Sequence, residues 1–289
     1  MKKRLTAGDI IFNLFNYSFM LLLGILMFFP FVYIFSYSLS DPNTLPNGLI
    51  FFPSGFNIDS YVVALSSPAV LNGILISILR TLIGPAVMIF FTSMAAYVLT
   101  RDDLFAVKFF RRFFVFTLYI SSGLIPVYLL VQSLNLTGSF WIYIVPAAVG
   151  VFNLVLIKTY IESLPKSLED AALVDGANEF VLFWKVIFPV IKPVVAAVML
   201  FSAVGQWNAF IDTQIYNAMN PELFPLQYVL YETLNSTTAM ENSSDLVQTV
   251  TPKGLKMAIT MITVLPILII YPFLQKHFAK GLMIGSIKG

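Results

Sequence analysis

The sequence contains no cysteine and a single histidine, His277. Disulfides, thiol nucleophiles and thiolate-bound metals are therefore excluded, and a lone imidazole makes neither a histidine metal cluster nor a dyad. Charge is scarce as well. Only 11% of residues are charged while 58% are apolar types, whereas a soluble domain carries roughly 25% charged residues. So much apolar surface does not fit inside one water-soluble core, and lipid is the expected solvent. A Gly-x-x-x-x-Gly-Lys-Ser/Thr phosphate loop is also missing, so any ATP hydrolysis belongs to another chain and this one is not read as an enzyme.

What is present is a series of charge-free runs of membrane length. A helical span needs about 20 mainly apolar residues. No charged residue lies between Asp9 and Asp41, Arg80 and Arg101, Lys192 and Asp212, or Lys256 and Lys276. A further run, Phe113 to Ile157, is too long for one span and is broken by the polar string Gln132 to Ser139. These runs predict an all-α membrane protein with six transmembrane helices, near 10–37, 69–99, 113–131, 140–157, 189–211 and 255–275. The first run is too long for a signal-peptide core and no Ala-x-Ala-like site follows, so it reads as a retained helix. A single transmembrane domain over 1–289 is expected, ending in a tail, 276–289.

Topology follows from where the basic residues sit. With the N-terminus inside, the inner segments hold Lys2 to Arg4, then Arg101 to Arg112, Lys158 to Lys192, and Lys276 to Lys288. The outer segments hold only Lys253 and Lys256, and Arg80 lies in or near a span. This is the bias the positive-inside rule requires, and it places both termini in the cytoplasm. The net charge is only +2, and no nucleic-acid partner is expected.

The most polar inner segment, 163–188, encodes a short helix. Ser167 with Asp170 three positions on resembles a capping box. Ala171 and Ala172 favour helix, and Gly176 sits where a helix C-terminus wants a left-handed residue. A second helix is predicted up to Pro189, with Phe180, Phe183, Trp184 and Ile187 forming one apolar face. Pro189 itself suits the first turn of the following membrane helix. From these residues alone, an elbow that merely orients the fifth span and a docking helix for a cytoplasmic partner are both open.

The pattern Asp170-Ala171-Ala172, three residues, Gly176, nine residues, Val186, one residue, Phe188-Pro189 resembles the EAA signature of ATP-binding-cassette importer permeases. Asp170 replaces the leading Glu, Val186 an Ile and Phe188 a Leu, while Glu169 offers a longer carboxylate one position earlier. Glu169 through Ala177, Phe188-Pro189 with Pro193, and Gln206-Trp207-Asn208 are similar to the carbohydrate-importer branch. Ala95-Ala96-Tyr97 and Ser122 to Pro126 resemble the sub-branch that imports polysaccharide fragments. The ending Gly281 to Gly289 is similar to the tail of the second, six-helix permease of maltose-type importers.

The resemblance implies a type I importer permease fold in a bacterial cytoplasmic membrane. It implies an oligosaccharide substrate, a second permease subunit, two ATPase subunits and an extracytoplasmic solute-binding protein. No cofactor is implied on this chain, since ATP and magnesium sit on the ATPase. Coupling would fall to Glu169, Asp170, Ala171, Ala172, Asp175, Gly176 and Pro189, and tail contacts with the ATPase to Gly285 and Lys288. Arg80, Gln206, Trp207 and Asn208 are candidates for the substrate path, because sugars are held by aromatic faces and by groups that bond hydroxyls. Two other classes stay open. A secondary transporter would be expected to carry ionisable groups within its spans, and only Arg80 qualifies; a membrane scaffold for an ATPase has no such requirement.

Overall fold

The computed structural model describes residues 6–46, 48–235 and 250–281, and for residues 7 and 273–281 the backbone alone. The described residues are helical apart from turns and one isolated antiparallel bridge, Ser40 to Phe56. Two compact units are present: Met1–Ser67 with Glu232–Val264, and Pro68–Tyr231 with Leu265–Gly289.

The first unit is built on α1 (Ala7–Ser38) and α2 (Asp59–Ser66), with α12 (Pro252–Gly281) starting in it. Thr6 and Asp9 form a capping box at the start of α1, with side chain and backbone bonded reciprocally, so two of the orphan N–H groups of the first turn are satisfied. Along its apolar stretch α1 is exposed, which suits a helix surrounded by lipid or by another subunit. Its far end is tied down: Ser36 donates to the Phe51 carbonyl at 2.9 Å, and Ser38 shares a 2.7 Å hydrogen bond with Tyr61. Lys253 donates to the Tyr33 hydroxyl at 2.9 Å and lies 4.5 Å from the Tyr37 ring centroid.

The second unit holds α3 (Pro68–Val98), α4 (Val107–Thr117), α5 (Leu124–Ser133) and α6 (Val151–Glu162). They are followed by α7 (Ser167–Val174), α8 (Glu179–Val181), α9 (Phe188–Asn208) and α10 (Ile211–Tyr216). Helix α11 (Leu226–Asn235) begins in this unit. Helices α3, α6 and α9 pack together around Met88, Ala96, Leu154, Ile157, Ile187, Ile191 and Val198, all buried. Gly84 on α3 leaves room for the Gln206 side chain of α9, since a Cβ there would sit 2.9 Å from its amide nitrogen.

Among the described residues four helices are long and apolar enough to cross a membrane, or five when the bent pair Phe140–Ala147 and Val151–Glu162 counts as one span. The predicted third span falls on α4 and α5, neither of them membrane-length alone. They are separated where Ser121, Ser122 and Gly123 interrupt the apolar run. The predicted fourth span begins as two 3₁₀ turns, Phe140–Tyr143 and Val145–Ala147, before it becomes helical. Pro146 within the second turn explains part of this, since its ring and missing N–H prevent a regular α-helical start across it.

The fifth span differs most from expectation. A helical run extends unbroken over Glu179–Asn208, 30 residues, so no boundary falls at Pro189. The chain accommodates this proline with one π-helical turn, Leu182–Ile187, in which the Phe188 N–H reaches back to the Phe183 carbonyl. Widening the helix just before Pro189 makes room for its ring and relieves the clash proline makes with the preceding turn.

Candidate functional site

The short helix α7 forms where the sequence predicts one, with a different start and the expected end. Lys166 occupies the N-cap in helical geometry and no side chain caps the helix, so Ser167 lies in the first turn and the expected capping box is not made. Glu169 and Asp170 in that first turn still face the positive end of the helix dipole. At the other end Gly176 has φ +79°. Its N–H bonds the Leu173 carbonyl and the Ala177 N–H bonds the Ala172 carbonyl, each at 3.0 Å. This is a complete Schellman closure, and only glycine enters it without a Cβ penalty. Two residues on, Asn178 accepts a hydrogen bond from the Val181 N–H and starts the next helix.

What holds α7 in place is Arg101, just beyond the end of α3. Its Nη1 lies 2.6 Å from Glu169 Oε2, and its Nη2 lies 2.9 Å from Glu179 Oε2. Tyr97 donates to Glu179 at 2.6 Å and also bonds the guanidinium, which stacks over the Tyr97 ring with Cζ 4.7 Å from the centroid. Burial works against the charge, but the Tyr97 hydroxyl and both carboxylates outweigh it and raise the Arg101 pKa above its ordinary value. One guanidinium thus clasps the helix before Gly176 and the helix after it.

The remaining residues of the segment divide by face. Ala172 packs against the α3–α6–α9 core, whereas Asp170, Ala171, Asp175 and Pro189 are exposed. Leu173 and Val174 are presented outward, 46% and 87% exposed. Beside them lies a polar groove of about 530 Å³ lined by Arg101, Asp102, Asp103, Glu162, Lys166 and Asp170, among others. Gly285 and Lys288 lie outside the described residues.

A second constellation surrounds Arg80, one of the largest fully buried side chains at 1% exposure. It donates from Nε to Gln206 Oε1 at 3.0 Å and from Nη1 to the Ala209 carbonyl at 3.1 Å. Nη2 forms an ion pair with Asp212 at 2.5 Å, and Cζ lies 4.3 Å from the Tyr143 ring centroid. Gln206 completes the bracket by donating to the Tyr143 carbonyl at 2.9 Å. The Tyr143 hydroxyl in turn bonds Thr213 and Asn217. The cluster forms one wall of a cavity of about 410 Å³ that is otherwise lined by small and apolar residues such as Val131, Ala147 and Gly205. Trp207 is buried at 9% exposure, and Asn208, the last residue of α9, is exposed.

Reading the sequence alone leaves Arg80 without a counter-ion and assigns Asp212 to an outer loop. The signal was present, since Asp212 is the first acid after the charge-free run from Lys192 and an arginine embedded among apolar residues demands a partner. Arg101 and Glu179 were harder to foresee, because one arginine beside Asp102 and Asp103 reads equally well as a solvated turn.

Comparison with known proteins identifies the family of the chain. A family model described as a binding-protein-dependent transport system inner membrane component matches residues 105–284. Protein LplC of Bacillus subtilis (strain 168) is 38% identical over 287 residues, 98% of this chain and 97% of its own length. The polygalacturonan/rhamnogalacturonan transport system permease protein YtcP of the same organism is 33% identical with 100% of both chains covered. A bacterial ABC transporter involved in the import of the acidic polysaccharide alginate, known from a crystal structure, contains a chain 27% identical to this one. The two chains match with a TM-score of 0.90, covering 96% of this chain and 100% of the other. The chain belongs to the family of binding-protein-dependent transport system inner membrane components.

Proposed function

We propose that this chain is one of two permease subunits of an ATP-driven importer that carries oligosaccharides, fragments of polysaccharides, across a bacterial cytoplasmic membrane. In this reading residues 1–289 act as one permease domain with six spans and both termini in the cytoplasm. A different permease subunit supplies the other half of the path. Two ATPase subunits hold ATP and magnesium, so no cofactor sits on this chain, and an extracytoplasmic binding protein delivers the sugar. Fragments of acidic polysaccharides are the first candidates, because YtcP and the alginate importer are named for such polymers.

The observation that carries this reading is the way α7 is built. A two-turn helix closed by Gly176 and clasped by Arg101 offers Leu173 and Val174 outward, and it leads directly into the run Glu179–Asn208. A rigid knob on the end of a span is what a nucleotide-driven engine needs to push against. Glu169, Asp170, Ala171, Ala172, Asp175, Gly176 and Pro189 make up this coupling segment, and Gly285 and Lys288 extend the contact through the tail. The test is binding-protein-stimulated ATPase activity and vesicle uptake by the complete reconstituted complex, with and without Gly176→Val. Stimulation unchanged by the substitution removes the segment from coupling; stimulation without sugar flux makes the chain a scaffold.

For the substrate path, Arg80 and Gln206 are the groups that border the 410 Å³ cavity. In this reading the exposed Asn208 and the segment 212–252 dock the binding protein, and Trp207, buried near the end of α9, belongs to the substrate path.

A further inference from the structure

Helix α4 carries more exposed aromatic surface than a helix packed in a protein needs. Phe109, Phe113 and Phe116 are 63%, 48% and 59% exposed. Positions 109, 113 and 116 are spaced four and three apart, so they fall on one helical stripe. Phe109 and Phe113 stack with ring centroids 6.1 Å apart. The opposite side is fixed to the protein. Val107 is buried at 5% exposure, and Phe114 packs on the α3–α6–α9 core. Arg111 donates to the Leu99 carbonyl at 2.7 Å and to Asp102 at 3.0 Å. Of the three cations on α4, Arg111 is therefore used internally. Lys108 and Arg112, one turn apart, are exposed, and among the described residues neither forms an ion pair with a carboxylate.

We propose that the outer face of α4 is a binding site for an anionic phospholipid of the bilayer, with Lys108 and Arg112 holding the headgroup and the Phe109–Phe113–Phe116 stripe lying among the acyl chains. Charge complementarity selects the lipid: two adjacent unpaired cations beside exposed phenylalanines match a phosphate above hydrocarbon. The site is also continuous with the membrane, because only residues 99–106 separate α4 from the membrane-length helix α3, which ends at Val98. An aromatic and basic helix of this kind is the usual means of seating a protein at an anionic interface. The inference rests on the importer topology only for the leaflet concerned, which is the cytoplasmic one.

The test uses the complete importer complex in nanodiscs of phosphatidylcholine, alone or mixed with phosphatidylglycerol. Phosphatidylglycerol retained on the complex is measured by native mass spectrometry for wild type and for Lys108→Gln with Arg112→Gln. Near an anionic surface each cation contributes roughly fivefold, so the double variant is expected to lose about 25-fold of its preference for phosphatidylglycerol. The charge-conserving exchange Lys108→Arg with Arg112→Lys should retain it. Undiminished preference in the double Gln variant overturns the proposal. A second measurement stands independently of that variant's assembly. The chain has no native cysteine, so a nitroxide on Phe113→Cys reports one position. Collision with oxygen dissolved in the bilayer and not with a water-soluble nickel chelate is the expected result. Protection from both means that a second permease covers this face, and the proposal falls. Lipid exposure found in the opposite leaflet supports the site and reverses the topology.

Discussion

The guanidinium of Arg101 bonds Glu169 and Glu179 at 2.6 and 2.9 Å, ten residues apart in sequence and on either side of the Gly176 turn. The bridge is a fork, and its geometry is particular to arginine. Arg101→Lys keeps the charge but cannot reach both carboxylates in the same plane. With one charge-assisted bond lost, about 1.5 kcal/mol, binding-protein-stimulated ATPase activity is expected to fall about tenfold, each 1.4 kcal/mol being one decade. Membrane insertion should be unaffected. Activity equal to wild type in a fully assembled complex would show that the clasp is dispensable.

Gly176 should tolerate asparagine better than any β-branched residue. Its φ of +79° costs an L-residue about 1–2 kcal/mol, with asparagine among the exceptions that visit this region readily. Gly176→Asn is expected to keep most of the stimulated ATPase activity and Gly176→Val to lose it, while both insert normally. Equal activity of the two variants would rule out turn geometry as the cause.

Arg80 and Asp212 can be separated by comparing single and double substitutions. Removing Asp212 leaves the buried Arg80 charge uncompensated at a cost of about 3–5 kcal/mol, removing Arg80 leaves a partly exposed carboxylate and costs less, and replacing both by apolar residues is often neutral. Arg80→Met and Asp212→Leu alone should each lower the melting temperature of the purified complex, and the double variant should recover it. Restored uptake in that double variant would confine the pair to a structural part. Restored stability without uptake would place Arg80 in the sugar path.

Trp207 and the segment 212–252 make different predictions. Truncating a buried aromatic costs about 3–5 kcal/mol, so Trp207→Ala should reduce assembly as well as uptake. Shortening the segment 212–252 only between Asn235 and Val250, which leaves the contacts of Asp212, Thr213 and Asn217 in place, should abolish delivery from the binding protein and leave the affinity of the isolated binding protein for sugar unchanged. Uptake unaffected by either change would remove both from the transport cycle.

How much of this was legible beforehand depends on the range of the interaction. The long spans α1, α3 and α12 follow from charge-free runs, because lipid imposes one rule along the whole run. Gly176 was legible for a similar reason, since helix closure is local and its positive φ leaves a signature at one residue. The broken stretch from Val107 to Glu162 was not legible, because average hydropathy is the same whether the run is one helix or two joined at Ser121 to Gly123. The Arg80–Asp212 and Arg101–Glu179 pairs lie far apart in sequence, and only tertiary packing brings them together. The boundary expected at Pro189 failed because proline excludes the regular hydrogen bond and not the helix itself: one π turn supplies the slack.

That turn has a mechanical consequence. A helix of 30 residues at about 1.5 Å per residue is a rod of roughly 45 Å, and its inner end is welded to the segment that Arg101 clasps. With only the short turn 175–178 between α7 and this rod, a push on α7, in the coupling role proposed for it, would act as torque on a lever arm whose far tip carries Gln206 and Trp207. The widened turn, with Pro193 a further proline one turn beyond Pro189, gives the rod a soft joint close to that end, where a small bend swings the tip farthest.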